Sequence, residues 1–266
     1  MSITQEEKKY IVEQIEGLMG TRPMFYLKFC SCEQFAKDIC DGKLYANTAK
    51  YFRDKEIETG ERGQGDRYEL LLTIQTERIT TIDNDTGNVL FTAPKGTFNV
   101  QFKDDDAIPI ISFVGIPLMD MEIIDADETH ADFQFPFTDA EYETLAKRFG
   151  EYCVILSARE LEQQITSYCN HFGCEFIFDK VEYCDQNRID RMQAFNKSAK
   201  ERFLYKNADL SYQREYRLAI GIEMPETHFI EVGQLKTSKM LPSNVLRNLA
   251  FSIEYTSYLK DGKQEM

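Results

Sequence analysis

Short apolar runs of strand length, interspersed with helix-start signals in no regular order, are the feature that most limits how this chain folds. The run at 24–30 (MFYLKFC) and the run at 152–156 (YCVIL) carry the aromatic and β-branched residues typical of strands. Thr138 and Ser157 each stand three residues before a glutamate, which is the capping-box pattern that begins a helix. Because strands and helices do not alternate one to one, the pattern predicts an α+β fold with a mixed sheet and flanking helices.

The middle third of the chain carries the signals of consecutive short strands. The turn-forming sequence DNDTG at 83–87 separates two β-branched runs at 79–82 and 89–92, which predicts a β-hairpin. Further strand-like runs follow at 97–102 and 108–115. Since short strands joined by tight turns pair antiparallel, we predict that the sheet is mainly antiparallel.

No internal repeat or low-complexity linker divides the chain, which has 266 residues, 42% of them hydrophobic. That is enough apolar material for a sizeable core, so we predict a single α+β domain over 1–266. Within the segment 1–22 we predict a helix at 4–19 that packs on the body of the domain, because Thr4 and Glu7 form a capping box. We expect the tail at 261–266 to fray.

The charge balance, with 31 basic and 45 acidic side chains and a net charge of −14, constrains the partners. An acidic chain repels nucleic-acid phosphates and anionic lipids, so broad nucleic-acid binding and membrane association are disfavoured. The same charge suits a basic protein partner, and a local cluster of arginines still suits a nucleotide-type small molecule. The charged N-terminal stretch and seven irregularly spaced cysteines lead us to expect a cytoplasmic protein with reduced thiols.

Metal-binding and nucleophile motifs are not supported by the spacing of the residues that would form them. Cys169 and Cys174 flank His171, but no second Cys/His pair stands at the spacing that zinc sites use. The acidic runs at 104–106 and 125–128 are typical of solvated surfaces. We therefore predict no metal, and a metal-dependent nuclease or phosphatase is the third of three hypotheses about function.

The first segment with chemical potential, 25–69, combines a predicted strand–helix–strand unit with a glycine-rich polar stretch at 54–66. Ser31 and Gln34 predict the helix start, and a strand at 44–48 follows. Groups that can hold an anion or stack on a ring then come close together in the sequence: Asn47, Thr48, Tyr51, Arg53, Arg62 and Arg67. We predict a ligand-facing loop, with a solvated loop of mutually paired charges as the alternative.

The second segment, 203–222, ends in an apolar strand that begins at about residue 217. Tyr212, Glu215 and Arg217 lead into this strand, where a carboxylate can reach the mouth of a pocket. The alternative is an edge strand with an exposed salt bridge, which would add little stability.

Both segments carry a family resemblance. MFYLKFCSCEQFAKDICDGKLYANTAKYF resembles the opening of ADP-ribosyltransferase-like domains, and FLYKNADLSYQREYRLAI is similar to a late segment of a group of uncharacterised bacterial and phage proteins. The resemblance implies an ADP-ribosyltransferase-like core that binds NAD. It also implies that Lys28 or Tyr26 touches NAD, that Thr48 and Tyr51 lie near the nicotinamide ribose, and that Glu215 stabilises the oxocarbenium-like transition state.

The first strand carries Lys28 where the transferase superfamily carries His or Arg, so nucleotide binding and catalysis are separate expectations. The leading hypothesis is an ADP-ribosyltransferase-like protein that binds NAD or another nucleotide and transfers ADP-ribose in bacterial or phage conflict. The alternative is a non-catalytic binding module that sequesters a nucleotide signal or inhibits a protein partner. Whether the chain is an enzyme stays open between these two.

Overall fold

A computed structural model of the chain describes residue 6 and residues 22–126, 129–197 and 199–254. Apart from residue 6, the predicted helix at 4–19 lies outside the described residues, and so does the predicted frayed tail at 261–266. Among the residues that are described, no helix is both long and apolar enough to cross a lipid bilayer.

Helices and mainly antiparallel strands both contribute to the structure, so the predicted α+β fold class is confirmed. The helices are α1 Glu33–Cys40, α2 Ala49–Thr59, α3 Asp139–Phe149, α4 Ala158–Phe172 and α5 Ile189–Asn196. The strands are β1 Pro23–Cys30, β2 Lys43–Tyr45, β3 Leu72–Thr76, β4 Ile79–Ile82, β5 Val89–Ala93, β6 Gly96–Val100, β7 Ile110–Pro117, β8 Glu122–Ala126, β9 His130–Gln134, β10 Tyr152–Ser157, β11 Phe176–Lys180, β12 Glu182–Tyr183, β13 Tyr205–Lys206, β14 Glu215–Ile220, β15 Phe229–Glu231, β16 Lys239–Pro242 and β17 Ala250–Glu254.

Of three helix starts and ends that were predicted from local sequence patterns, one is confirmed and two are wrong. The capping box at α3 is confirmed, because the Thr138 hydroxyl accepts from the Glu141 amide at 3.3 Å and the Glu141 carboxylate accepts from the Thr138 amide at 2.8 Å. The box predicted at Ser31 is wrong, since the N-cap of α1 is Cys32, one residue later, and it makes no side-chain capping hydrogen bond. The polar stretch predicted as a loop from Asp54 is wrong over its first part, because α2 continues to Thr59.

The chain divides into two compact units, each built from separate stretches of sequence. The first unit comprises 1–44, 113–168 and 231–266, and the second comprises 45–112 and 169–230. The chain therefore passes between the units at four points, and neither unit is a contiguous piece of sequence. The prediction of a single domain stays a prediction.

The first unit is built around β1, which pairs antiparallel with β10 and with β7, while β10 pairs with β16. A second sheet pairs β9 with both β17 and β8, again antiparallel. Leu27, Phe133 and Leu145 are fully buried in the core of this unit. Phe25 stacks on Phe251 with ring centroids 4.8 Å apart, so aromatic side chains join its two sheets.

The second unit contains α2, α5, the antiparallel pair β11–β14 and the short parallel pair β12–β13. A two-stranded ribbon pairs β3 with β6 and continues in the hairpin of β4 and β5, which confirms the predicted hairpin. Its core includes Leu70, Ile110, Phe203 and Ala219. This core is small, and charged side chains are buried around it.

Candidate functional site

Glu215 opens strand β14 and is the centre of a buried charge network in the second unit. Its carboxylate, 3% exposed, accepts a hydrogen bond from the Ser112 hydroxyl at 2.6 Å. It also accepts from the Lys206 ammonium at 2.7 Å and from the Arg217 guanidinium at 2.8 Å. Each carboxylate oxygen of Glu215 therefore has a cationic partner.

Arg217 links Glu215 to a second buried carboxylate, that of Glu69. The two terminal nitrogens of Arg217 donate to the two oxygens of Glu69 at 2.6 Å and 3.1 Å, which is a bidentate pair. One of the same nitrogens donates to the Phe203 carbonyl at 2.8 Å. The guanidinium is thus held by two acids and a backbone oxygen.

The polar neighbours of the network are also hydrogen-bonded. The Lys206 ammonium donates to the Gln213 side-chain oxygen at 2.9 Å, and the Gln213 amide donates to the Gly63 carbonyl at 2.9 Å. The Glu215 amide donates to the Tyr183 hydroxyl at 3.0 Å. Burial, followed by the charge of Glu215, raises the pKa of Tyr183, so this phenol is neutral at physiological pH.

The electrostatics of Glu215 follow from two opposed effects. Burial taken alone raises the pKa of a carboxyl, but the charges of Arg217 and Lys206 outweigh it and hold the pKa of Glu215 well below its usual range. Glu215 is therefore ionised and paired at neutral pH. A carboxylate enclosed in this way is fully paired within the interior around β14, and it presents no open face to a sugar cation.

The predicted ligand-binding arginines all lie in the second unit, and each is paired with a carboxylate. Arg53 donates to the Glu69 carbonyl at 2.8 Å and pairs with Asp106 at 2.5 Å. Arg62 makes two bonds to Asp209, at 2.5 Å and 2.9 Å. Arg67 pairs with Glu56 at 2.7 Å, and Arg62 reaches the same carboxylate at 3.0 Å. This pattern matches the alternative of mutually paired charges.

The remaining predicted residues of this segment lie at the start of α2 or near it. The Thr48 hydroxyl caps α2 by accepting from the Tyr51 amide at 3.2 Å. The Tyr51 ring is 41% exposed and has the Lys55 ammonium 5.6 Å from its centroid. Asn47 bonds the Ile110 backbone in both directions, and its side-chain oxygen is buried without a partner. Tyr212 is half-buried on the 3-10 helix Ala208–Gln213.

Lys28 and Tyr26 belong to the first unit, whereas Tyr51 and Glu215 belong to the second. The Tyr26 hydroxyl donates to Glu162 at 3.0 Å, and its ring is buried. The Lys28 ammonium lies 5.4 Å from the centroid of the Phe113 ring. Both side chains of β1 thus have partners within the first unit.

A polar cleft in the second unit, which the sequence analysis missed, is the better candidate for a ligand site. Its volume of 410 Å³ falls within the range of about 300–1,000 Å³ that is usual for small-molecule sites. Side-chain amides dominate its lining, which consists of Tyr68, Thr73, Gln75, Cys184, Asp185, Gln186, Asn187, Asn207, Ala208 and Asp209. We call this feature the polar cleft.

The inner wall of the polar cleft is a chain of hydrogen bonds. The Thr73 amide donates to the Gln186 side-chain oxygen at 3.1 Å, and the Gln186 amide nitrogen donates to the Asn207 side-chain oxygen at 2.6 Å. Arg191 of α5 reaches the same Asn207 oxygen at 3.5 Å. In the part of the chain that is described, three buried side-chain atoms lack a hydrogen-bond partner. One of them, Thr73 Oγ1, belongs to the lining, and another, Arg191 Nε, belongs to a residue behind it that bonds the lining residue Asn207.

A wider groove of 780 Å³ in the first unit, bordered by Arg22 and α4, is the weaker candidate. Its polar groups pair with one another: Arg22 with Glu162 at 3.2 Å, and the Thr166 hydroxyl with the Glu162 carbonyl at 2.7 Å. No buried unpartnered side-chain atom of the described chain borders it. Of the three unpartnered atoms in the described residues, Thr73 Oγ1 belongs to the lining of the polar cleft and none to this groove, which favours the polar cleft.

Sequence reasoning missed the polar cleft because its lining comes from three separate stretches, 68–75, 184–187 and 207–209. The one local signal is the polar run Asp185-Gln186-Asn187, which separates β12 from α5. Within the described residues, no group of three or more His, Cys, Asp or Glu side chains is arranged to hold a metal ion. Comparison with protein-family models, with curated proteins and with solved structures found no match.

Proposed function

We propose that this protein is a non-catalytic binding module that holds a nucleotide-type small molecule in the polar cleft. The observation that carries the proposal is a pair of unpartnered buried atoms at the cleft: Thr73 Oγ1 in its lining and Arg191 Nε in a residue hydrogen-bonded to that lining. Leaving a buried polar group unpaired costs about 1–3 kcal/mol, so native structures rarely keep such groups without a ligand or water to satisfy them. One such atom in the lining and a second directly behind it favour a bound polar molecule.

The chemistry of the lining favours a nucleoside-like ligand. The Tyr68 ring is 36% exposed and offers a surface on which a base can stack. The amides of Gln75, Asn187 and Asn207 can donate and accept, as the edge of a base requires. The exposed carboxylate of Asp185 can accept hydrogen bonds from ribose hydroxyls.

Binding is favoured over ADP-ribosyl transfer because of the surroundings of Glu215. A transfer reaction needs this carboxylate to face a developing sugar cation, and here Lys206 and Arg217 already neutralise it. The transferase hypothesis stays a prediction. Incubation with NAD tests it directly, since release of free nicotinamide that is lost in Glu215→Gln would restore Glu215 to a catalytic role.

Isothermal titration with nucleosides, nucleoside 5′-monophosphates, cyclic nucleotides, ADP-ribose and NAD tests the proposed binding. Alkylation by iodoacetamide, followed by peptide mass spectrometry, then locates the site, because Cys184 is a free thiol that lines the polar cleft. We expect a bound ligand to slow the alkylation of Cys184 and to leave Cys32, a free thiol of the first unit, unchanged. No heat of binding with any of these compounds would overturn the proposal.

The variant Thr73→Val separates binding from folding. It removes the unpartnered hydroxyl, so the protein should stay at least as stable, while affinity for the ligand falls by about threefold to tenfold through the lost hydrogen bond. Thr80→Val, on the exposed strand β4 of the same unit, is the matched control and should bind as the unmodified protein does. Equal affinity in both variants would remove Thr73 from the site.

A further inference from the structure

We infer that the ligand of the polar cleft carries an anionic group, a phosphate or a carboxylate, and that Arg191 is the residue that selects it. This inference rests on the proposed binding of a small molecule in the polar cleft. It adds the chemical class of one end of that molecule, and it names a residue outside the lining.

Arg191 stands apart from the other buried arginines of the second unit. Its side chain is 1% exposed, and within the described chain no carboxylate lies at ion-pair distance from it. By contrast, Arg202 pairs with Asp105 at 2.5 Å, and Arg217 pairs with Glu69 at 2.6 Å. Burying a charge without a counter-charge costs free energy, so a buried charged side chain normally has an oppositely charged partner.

The contacts that Arg191 does make are neutral and long. It donates to the Leu71 carbonyl at 3.3 Å and to the Asn207 side-chain oxygen at 3.5 Å, and its Nε has no partner. Burial lowers the pKa of Arg191, but a guanidinium remains charged at neutral pH. Among the described residues, the guanidinium thus has no carboxylate at ion-pair distance, and its Nε donor has no hydrogen-bond partner.

The position of Arg191 directs this charge to the polar cleft. Asn207, its hydrogen-bond partner, lines the cleft, and so does Cys184, whose thiol interacts with the guanidinium. The charges of Asp66 and Glu69 also act on Arg191, but Asp66 pairs with Arg62 and Glu69 with Arg217. Because charge is weakly screened in the interior, an anion at the inner wall would gain from Arg191 even without touching it.

The two acids of the lining, Asp185 and Asp209, are both exposed rather than buried at the inner wall. The hydrogen bond from Arg62 holds the pKa of Asp209 below its usual value, although Arg62 shares its charge with Glu56 and Asp66. Asp185 is exposed to solvent, so its charge is screened. The ligand should therefore place its acidic group against Thr73 and Asn207 and its hydroxyl groups towards Asp185.

The test compares each nucleoside with its own 5′-monophosphate by isothermal titration. We expect the monophosphate to bind the unmodified protein at least about tenfold more tightly, and raising the salt from about 50 mM to about 500 mM to weaken only the monophosphate. Inorganic phosphate should compete with the monophosphate. The salt series needs no variant, so it stands even where a substitution disturbs folding.

Arg191→Gln should abolish the preference for the monophosphate while nucleoside affinity is kept, and Arg191→Lys should retain part of it. Arg188→Gln is the matched control, because Arg188 is exposed and pairs with Glu182 and Asp190. Equal binding of nucleoside and monophosphate by the unmodified protein would overturn the anion inference and leave the proposed binding intact. Binding of neither would overturn both.

Discussion

At the scale of single residues, the second unit is governed by how its buried charges are paired. Glu69, Lys206, Glu215 and Arg217 are each less than a tenth exposed and form one connected network. Forming such a network adds little net stability, because desolvation offsets the attraction, but breaking it leaves unpaired buried charge. Arg191 is the exception, because no carboxylate of the described residues lies at ion-pair distance from it.

The network predicts a large effect for Arg217→Met. Both Glu69 and Glu215 would lose their shared counter-charge, so we expect the free energy of unfolding to fall by about 3–5 kcal/mol, measured by urea denaturation. Arg188→Met serves as the control, since its pairs are about half exposed and should contribute less than about 1 kcal/mol. If both variants lost similar amounts of unfolding free energy, burial would not determine how much the network contributes to stability.

The low pKa of Glu215 predicts the pH dependence of stability. Its pKa is lowered in the folded protein from the usual 4.5, so the folded state binds fewer protons at acid pH than the unfolded state. The stabilisation is complete above 4.5 and is lost as the pH falls below it towards the folded-state pKa. Glu215→Gln should be less stable near pH 7, and its urea-unfolding free energy should decline less steeply below about pH 5. If the unfolding free energies of both proteins fell in parallel with pH, the lowered pKa of Glu215 would be contradicted.

At the scale of elements, local signals succeeded where both partners of an interaction lie within a few residues. The hairpin turn is one case, because the Asp83 carboxylate accepts from the amides of Asp85 at 2.8 Å and Thr86 at 3.0 Å. The α3 capping box is another. Helix α2 was missed because Arg53 and Glu56 face inward to distant partners, so its polar sequence resembles that of a solvated loop.

Substitutions at two turn glycines distinguish the cost of backbone strain from the cost of steric crowding. Gly42 and Gly87 both have positive φ, at +81° and +71°. A Cβ on Gly42 would lie 1.9 Å from the Gly233 carbonyl oxygen, whereas a Cβ on Gly87 would meet nothing within 4 Å. We expect Gly87→Ala to cost about 1–2 kcal/mol from strain alone and Gly42→Ala about 3 kcal/mol or more. Thermal and urea unfolding measure both, and equal costs would show that the contact at Gly42 relaxes freely.

At the scale of the whole molecule, the notable property is that the two units are interleaved along the chain. The central strand β1 of the first unit comes from 23–30, while its partner β10 comes from 152–157. The 45–112 stretch of the second unit is inserted between them. Each unit therefore depends on pairing between residues that are far apart in sequence.

Cutting the chain after Ser112 should consequently leave no folded half. The fragment 1–112 would contain β1 without β10, and the fragment 113–266 would contain β10 without β1. We expect both fragments to lack near-ultraviolet circular dichroism and a cooperative thermal transition, which the intact chain should show. A cooperative transition in either fragment would mean that one of its units is complete without the missing stretch.

The sequence by itself determined the fold class, the antiparallel hairpin and the α3 start, because periodicity, turn residues and capping boxes act over short distances. It also located the two stretches, 25–69 and 203–222, that supply Glu69, Lys206, Glu215 and Arg217, but not the burial of these residues. Only the tertiary structure decided that these charges neutralise one another, that Arg191 has no carboxylate at ion-pair distance among the described residues and that three distant stretches line one cleft. The physical reason is that the contribution of a charge to stability or binding depends on its partners and its burial. Both are set by contacts between residues that are remote in the chain.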